Sequence, residues 1–236
     1  MPGFSDHALA VVITVGMPAY ALFVWHRRLL RAVPANRHRV RMETYRNGIL
    51  IPWAVTLLTL IHWGRSGRPW PDLGVGLETG LGFWTGLALA GAVFAFASWQ
   101  RLSLHEEPRA EEEVARQIGN LEPLLPRTPG EMRWFLGVSL TAGVCEELLF
   151  RGFLLWYLSE LVATGAAVVL ASLLFGMAHA YQGTRGILQT GGVGLVLAGV
   201  VLLTGSVWVS IAIHAFIDVN SGLLAYNVLR RRESPE

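Results

Sequence analysis

The chain has 236 residues, of which 53% are hydrophobic and only 15% charged, with a formal net charge of +2. Soluble domains carry about 25% charged residues, so this balance argues against a water-soluble globule. It also offers no basic excess for a nucleic-acid partner. A mean hydropathy of +0.44 and a pI near 9.0 point instead to lipid as the solvent and to an uneven spread of charge.

The chain opens without a basic leader, and no small-residue cleavage site follows its first apolar run, so no cleavable signal peptide is expected. Seven segments are then long and apolar enough to be membrane helices: roughly His7–Trp25, Gly48–Trp63, Gly80–Trp99, Trp134–Leu158, Leu161–Ala180, Gly186–Thr204 and Ser206–Leu229. A bilayer core needs about 20 apolar residues per helix. Trp25, Trp63, Trp99 and Trp134 fall at segment ends, the headgroup level that indole rings prefer. The fold class is therefore all-α, a polytopic transmembrane helix bundle of about seven spans. Residues 1–130 form an N-terminal region of three spans and a connector, and residues 131–236 form a C-terminal core and tail.

All 19 basic residues are Arg, and their placement sets the orientation. Arg27, Arg28, Arg31, Arg37, Arg39, Arg41 and Arg46 crowd the first connection, whereas the second holds only Arg65 and Arg68. The third connection and the tail are again Arg-rich. The positive-inside rule then places the N-terminus outside and the C-terminus in the cytoplasm of a cell inner (plasma) membrane. An odd number of spans agrees. Within the third connection, Glu106–Asn120 reads as a surface helix or a solvated connector, ended by Pro123, Pro126 and Pro129. The single Cys145 excludes an intrachain disulfide.

Ionisable residues at mid-span are costly, at least ~2.5–3.5 kcal/mol each, and mark function by default. Here they gather in the C-terminal half. The fourth span carries Glu146, Glu147 and Arg151, the fifth ends in Phe175-Gly-Met-Ala-His179, and the seventh carries His214-Ala-Phe-Ile-Asp218. Glu147 and Arg151 stand four apart with the acid first, the favourable order for an ion pair. That leaves Glu146, about 100° around the helix, without a partner in its own span. An unpaired carboxylate in a low-dielectric site suits acid–base work. Counted from the span ends, Glu146 and His214 lie at similar depth and His179 nearer the cytoplasm, so a cavity opening inward is expected. As bland readings, the His214 and Asp218 pair could be a polar helix contact, and Glu147 with Arg151 a structural ion pair.

Glu146-Glu147-x-x-x-Arg151, Phe175-x-x-x-His179 and His214-x-x-x-Asp218, in order and on separate spans, resemble the motifs of the CPBP family. That family includes the type II CAAX prenyl endopeptidases. The resemblance covers about Glu131 to Leu229. It implies an intramembrane endopeptidase acting on a membrane-associated protein or peptide, in which Glu146 and His179 activate water. It further implies that His214, helped by Asp218, stabilises the oxyanion. Glu147, Arg151 and Phe175 would support the site. Asp218 stands where several relatives have Asn, and orienting His214 suits an ionised carboxylate better than donating to an oxyanion.

Cofactor use stays open at this level. No cofactor is favoured, because neither His has a second ligand at the short spacing of zinc peptidases. The alternative is zinc held by Glu146, His179 and His214. Two other functions compete: a non-catalytic immunity or interaction protein of the same family, and a small proton-coupled carrier, against which the lack of an internal repeat counts.

Overall fold

The computed structural model describes residues 1–76, 80–103 and 118–233. Among these there are seven helices and no strand. Helix α1 is a continuous rod over Phe4–Leu30, and α2 is Arg37–Arg65. Leu81–Ser103 forms α3, and residues 129–159 form α4. Then come α5 (Thr164–Ala178), α6 (Gly183–Thr204) and α7 (Val207–Glu233). The surface helix expected over Glu106–Asn120 lies almost wholly outside the described residues; its end enters a short 3₁₀ turn, Gly119–Leu124.

Five of the seven are long and apolar enough to cross a membrane by composition. The other two are α4 and α5, and each has a physical reason. Helix α4 carries Glu146, Glu147 and Arg151 within one window. Helix α5 has 15 residues, about 22 Å, short of a hydrocarbon core of ~30 Å.

Helix α2 is longer than the apolar run Gly48–Trp63 foretold. Its 29 residues span about 43 Å, because the Arg-bearing stretch continues the helix instead of forming a loop. There Arg41, Thr44 and Tyr45 are buried. Arg41 donates to both carboxylate oxygens of Glu131 at 2.9 Å and to the Pro123 carbonyl at 3.0 Å, while Tyr45 donates to the Leu124 carbonyl at 2.5 Å. Glu131 also closes a capping box with Thr128 at the start of α4, where Pro129 sits at N1, a position needing no N–H.

Burial alone would push the Glu131 carboxyl up, but the Arg127 N–H, His38 and Arg41 hold it below the ordinary carboxylate value of 4.5. A carboxyl depressed in the folded state stabilises above its unfolded pKa and loses that contribution as pH falls. Thermal unfolding in detergent should therefore show stability dropping as pH falls below about 4.5, and Glu131→Gln should lower stability at pH 7 and flatten this acid limb. An unchanged acid limb in that variant would remove Glu131 as its source.

At the opposite end Asp6, 1% exposed, receives a bidentate pair of 2.7 Å bonds from Arg68 and a contact from His62 at 2.9 Å. The Arg68 guanidinium lies 4.2 Å from the Trp156 ring centroid. Buried charge is thus also present in α1, outside the three spans where the sequence concentrates it.

Helix α4 is the axis of the bundle. Residues 147–155 are buried without interruption, as expected of a helix enclosed on all sides. Leu149, Phe150, Phe153 and Leu154 form one cluster with Ala10 and Ile13 of α1, Val55 and Trp63 of α2, and Phe175 of α5. On the other side α7 comes close enough that a Cβ on Gly143 would sit 2.7 Å from the Ala215 methyl. Directly after Glu146 the backbone changes to a π-helical stretch, Glu147–Leu154. Such widened turns are rare and occur mostly at functional sites.

Candidate active site

The three polar motifs meet at the middle of α4. Glu147, fully buried, accepts at Oε1 from Arg151 at 2.9 Å and from Nδ1–H of His214 at 2.7 Å. Arg151 lies flat over the Phe175 ring, 4.0 Å from its centroid. Helix α6 makes room for this pair with Gly194, where a Cβ would stand 3.0 Å from the Phe175 ring and 3.2 Å from the guanidinium. Glu147 therefore joins α4 to α7 as well as neutralising Arg151. That second link spans 67 residues and has no signature in local spacing.

His179 ends α5. Its Nδ1 bonds the Phe175 carbonyl at 2.8 Å. A carbonyl only accepts, so Nδ1 carries the hydrogen, and in the neutral ring Nε2 presents a lone pair. Phe175 thus serves twice, its ring stacking on Arg151 and its carbonyl fixing His179.

With both Nδ1 atoms held, both Nε2 atoms turn toward Glu146. Oε2 of Glu146 is 3.7 Å from Nε2 of His179 and 4.0 Å from Nε2 of His214. Among the described residues this same oxygen is buried without a hydrogen-bond partner. The Glu146 side chain keeps 23% exposure, against 0% for Glu147, so the two adjacent acids differ as the helical spacing suggests. Asp218 Oδ2 stands 3.7 Å from Nε2 of His214, too far for a direct hydrogen bond. Glu147, read from the sequence only as the counter-ion of Arg151, thus also holds Nδ1 of His214, while Asp218 stands on the Nε2 side of the ring.

The donor chemistry of two imidazoles and two carboxylates suits zinc. Among the described residues, however, no three of these groups are arranged to enclose an ion.

Glu146 and His179 open onto a cavity of about 180 Å³ between α1, α2, α4 and the end of α5. Ile13, Ile51, Val138 and Phe150 give it an apolar wall, and Trp25 and Tyr181 also line it. Its walls are the parts of α1 and α2 nearest the Arg-rich connection. From the sequence Trp25 reads only as a headgroup-level anchor, and no motif singles out Tyr181.

Residues 128–220 match the family described as Type II CAAX prenyl endopeptidase Rce1-like. This is less than half of the chain; it takes in all three motifs and leaves out α1 to α3, including two walls of the cavity. No curated protein and no solved structure matches the chain significantly. With Glu146-Glu147-x-x-x-Arg151, Phe175-x-x-x-His179 and His214-x-x-x-Asp218 all inside the matched region, residues 128–220 of this multi-pass membrane protein are similar to the CPBP family, that of the type II CAAX prenyl endopeptidases.

Proposed function

We propose that the protein is an intramembrane endopeptidase in which Glu146 and His179 activate a water molecule against a peptide bond of a membrane-associated substrate. The observation that carries this reading is the convergence of two anchored imidazoles on the unpartnered Oε2 of Glu146, with Nε2 separations of 3.7 and 4.0 Å. Gaps of that size are bridged by one hydrogen-bonded water.

The steps follow from the donors available. Water donates one hydrogen bond to the His179 Nε2 lone pair and gives the other proton to Glu146 as its oxygen attacks the carbonyl carbon. Negative charge then builds on the carbonyl oxygen. His214 as an imidazolium donates from both nitrogens, Nδ1–H to Glu147 and Nε2–H to that oxyanion. Collapse of the tetrahedral intermediate breaks the C–N bond, and Glu146 returns its proton to the departing amine. Glu147, Arg151 and Phe175 hold this array in place, while Asp218 adds negative charge beside His214.

The Arg27–Arg46 stretch and Arg230–Arg232 favour a cytoplasmic placement of those ends. The cavity then faces the inner half of the bilayer, where a membrane-anchored chain can present its scissile bond. The test compares membrane proteins of wild-type cells and a Glu146→Gln strain by mass spectrometry of their termini. A discrete set of internal cleavage termini should appear in wild type only; identical sets would sink the proposal.

A further inference from the structure

We propose that Tyr181 is a further catalytic residue, its phenol O–H donating a second hydrogen bond to the oxyanion alongside His214. The inference rests on the peptidase reading of the Glu146 site. Tyr181 lies two residues beyond His179, just past the end of α5, and lines the same cavity as Glu146 and His179. Its ring stands 5.8 Å from the His179 ring, and Trp25 of α1 meets it edge-on at 4.7 Å.

The hydrogen-bond arrangement leaves its proton available. Thr190 donates to Oε1 of Gln182 at 3.4 Å, which turns Nε2 of that amide toward Tyr181, and Nε2 donates to the phenol oxygen at 3.4 Å. The tyrosine oxygen therefore accepts from Gln182, and among the described residues its own O–H has no acceptor. Other hydroxyls around the cavity are placed differently. Thr44 donates to the Val40 carbonyl and Tyr45 to that of Leu124; Tyr20 accepts from Asn47 of α2 as Tyr181 does from Gln182, but of these four it is Tyr181 whose ring stands against that of His179. A phenol is neutral and holds its proton firmly near pH 7, which suits a group that must donate throughout the reaction beside two carboxylates.

Tyr181→Phe removes the hydroxyl and keeps the ring packed on Trp25 and His179, so the variant should insert and melt as wild type does. The readout is the initial rate, after induced expression, at which cells produce the termini made by wild type and not by Glu146→Gln. Removing one oxyanion donor slows turnover about 100- to 1,000-fold, and that loss is expected here. Gln182→Leu, which frees the phenol without removing it, should give a smaller loss. A Tyr181→Phe loss of less than about tenfold, below what such a donor contributes, would overturn the inference, and activity lost only in Tyr181→Ala would make the residue a packing element. Should Glu146→Gln cells produce the same termini as wild type, the peptidase reading itself falls and this inference with it.

Discussion

His179→Ala and His214→Ala should each abolish measurable turnover while leaving the protein in the membrane. A positioned acid or base contributes about 10²–10⁴ in rate, and each imidazole contributes through a different nitrogen environment. His179 loses the lone pair that its Phe175 anchor, at 2.8 Å, points toward Glu146. His214 loses the donor that Glu147 holds at 2.7 Å. The folding consequences should differ as well. His179 ends its helix and removes only a local bond, whereas deleting His214 deprives the buried Glu147 of one of its two partners. A lower melting temperature is therefore expected for His214→Ala than for His179→Ala. Purified wild-type enzyme should keep its activity through exhaustive chelation. If activity instead disappears with one zinc per chain and returns on adding zinc, Glu146, His179 and His214 are ligands, and the metal-free assignment fails while the peptidase assignment stands.

Arg151→Leu carries the largest expected effect on stability. Removing one partner of a buried ion pair is destabilising by about 3–5 kcal/mol, because the remaining charge stays buried, here with His214 left as its partner. Whole domains are stable by about 5–15 kcal/mol, so little folded protein should remain. The stack of Arg151 on Phe175, 4.0 Å to the ring centroid, is lost with it. The double variant Glu147→Leu with Arg151→Leu separates two roles of the pair. Replacing both charges by apolar side chains is often neutral, so folded protein should recover. Activity should not, since Nδ1 of His214 then has no carboxylate to hold it. Folded yield is measured by size-exclusion chromatography of detergent extracts, and activity by product termini. Wild-type yield from Arg151→Leu alone would mean that Glu147 is neutralised by another group.

Several of these contacts follow from spacing and several do not. The Glu147–Arg151 pair at i,i+4 and the separation of Glu146 from it are local helix geometry, so α4 could be sorted from its own residues. The apolar runs located all seven helices, and the Trp residues marked their ends. What failed was length wherever polar residues are buried. Helix α2 runs back to Arg37 because Arg41 reaches Glu131 across 90 residues, a partner that periodicity within one segment cannot reveal. Asp6 near the start of α1 is hidden for the same reason, its partners being His62 and Arg68. The site shows a parallel division. Three motifs on α4, α5 and α7 picked out the polar side chains that meet at the site, but the bond from His214 to Glu147 depends on the α4–α7 approach at Gly143 and Ala215. The π-helical stretch after Glu146 has no Gly or Pro signature beyond Gly152. Trp25 was masked by its resemblance to a membrane-interface anchor, and Tyr181 belongs to none of the three motifs.

Whether Glu146 is the base that activates water in a membrane-embedded peptidase is decided with purified wild-type and Glu146→Gln protein in nanodiscs, each given the substrate whose termini distinguish the two strains. Wild type should cleave at the cellular site. The amide variant should be at least about 100-fold slower, with insertion and melting unchanged because among the described residues Oε2 has no hydrogen-bond partner to lose. Equal rates for the two proteins would rule Glu146 out as the base.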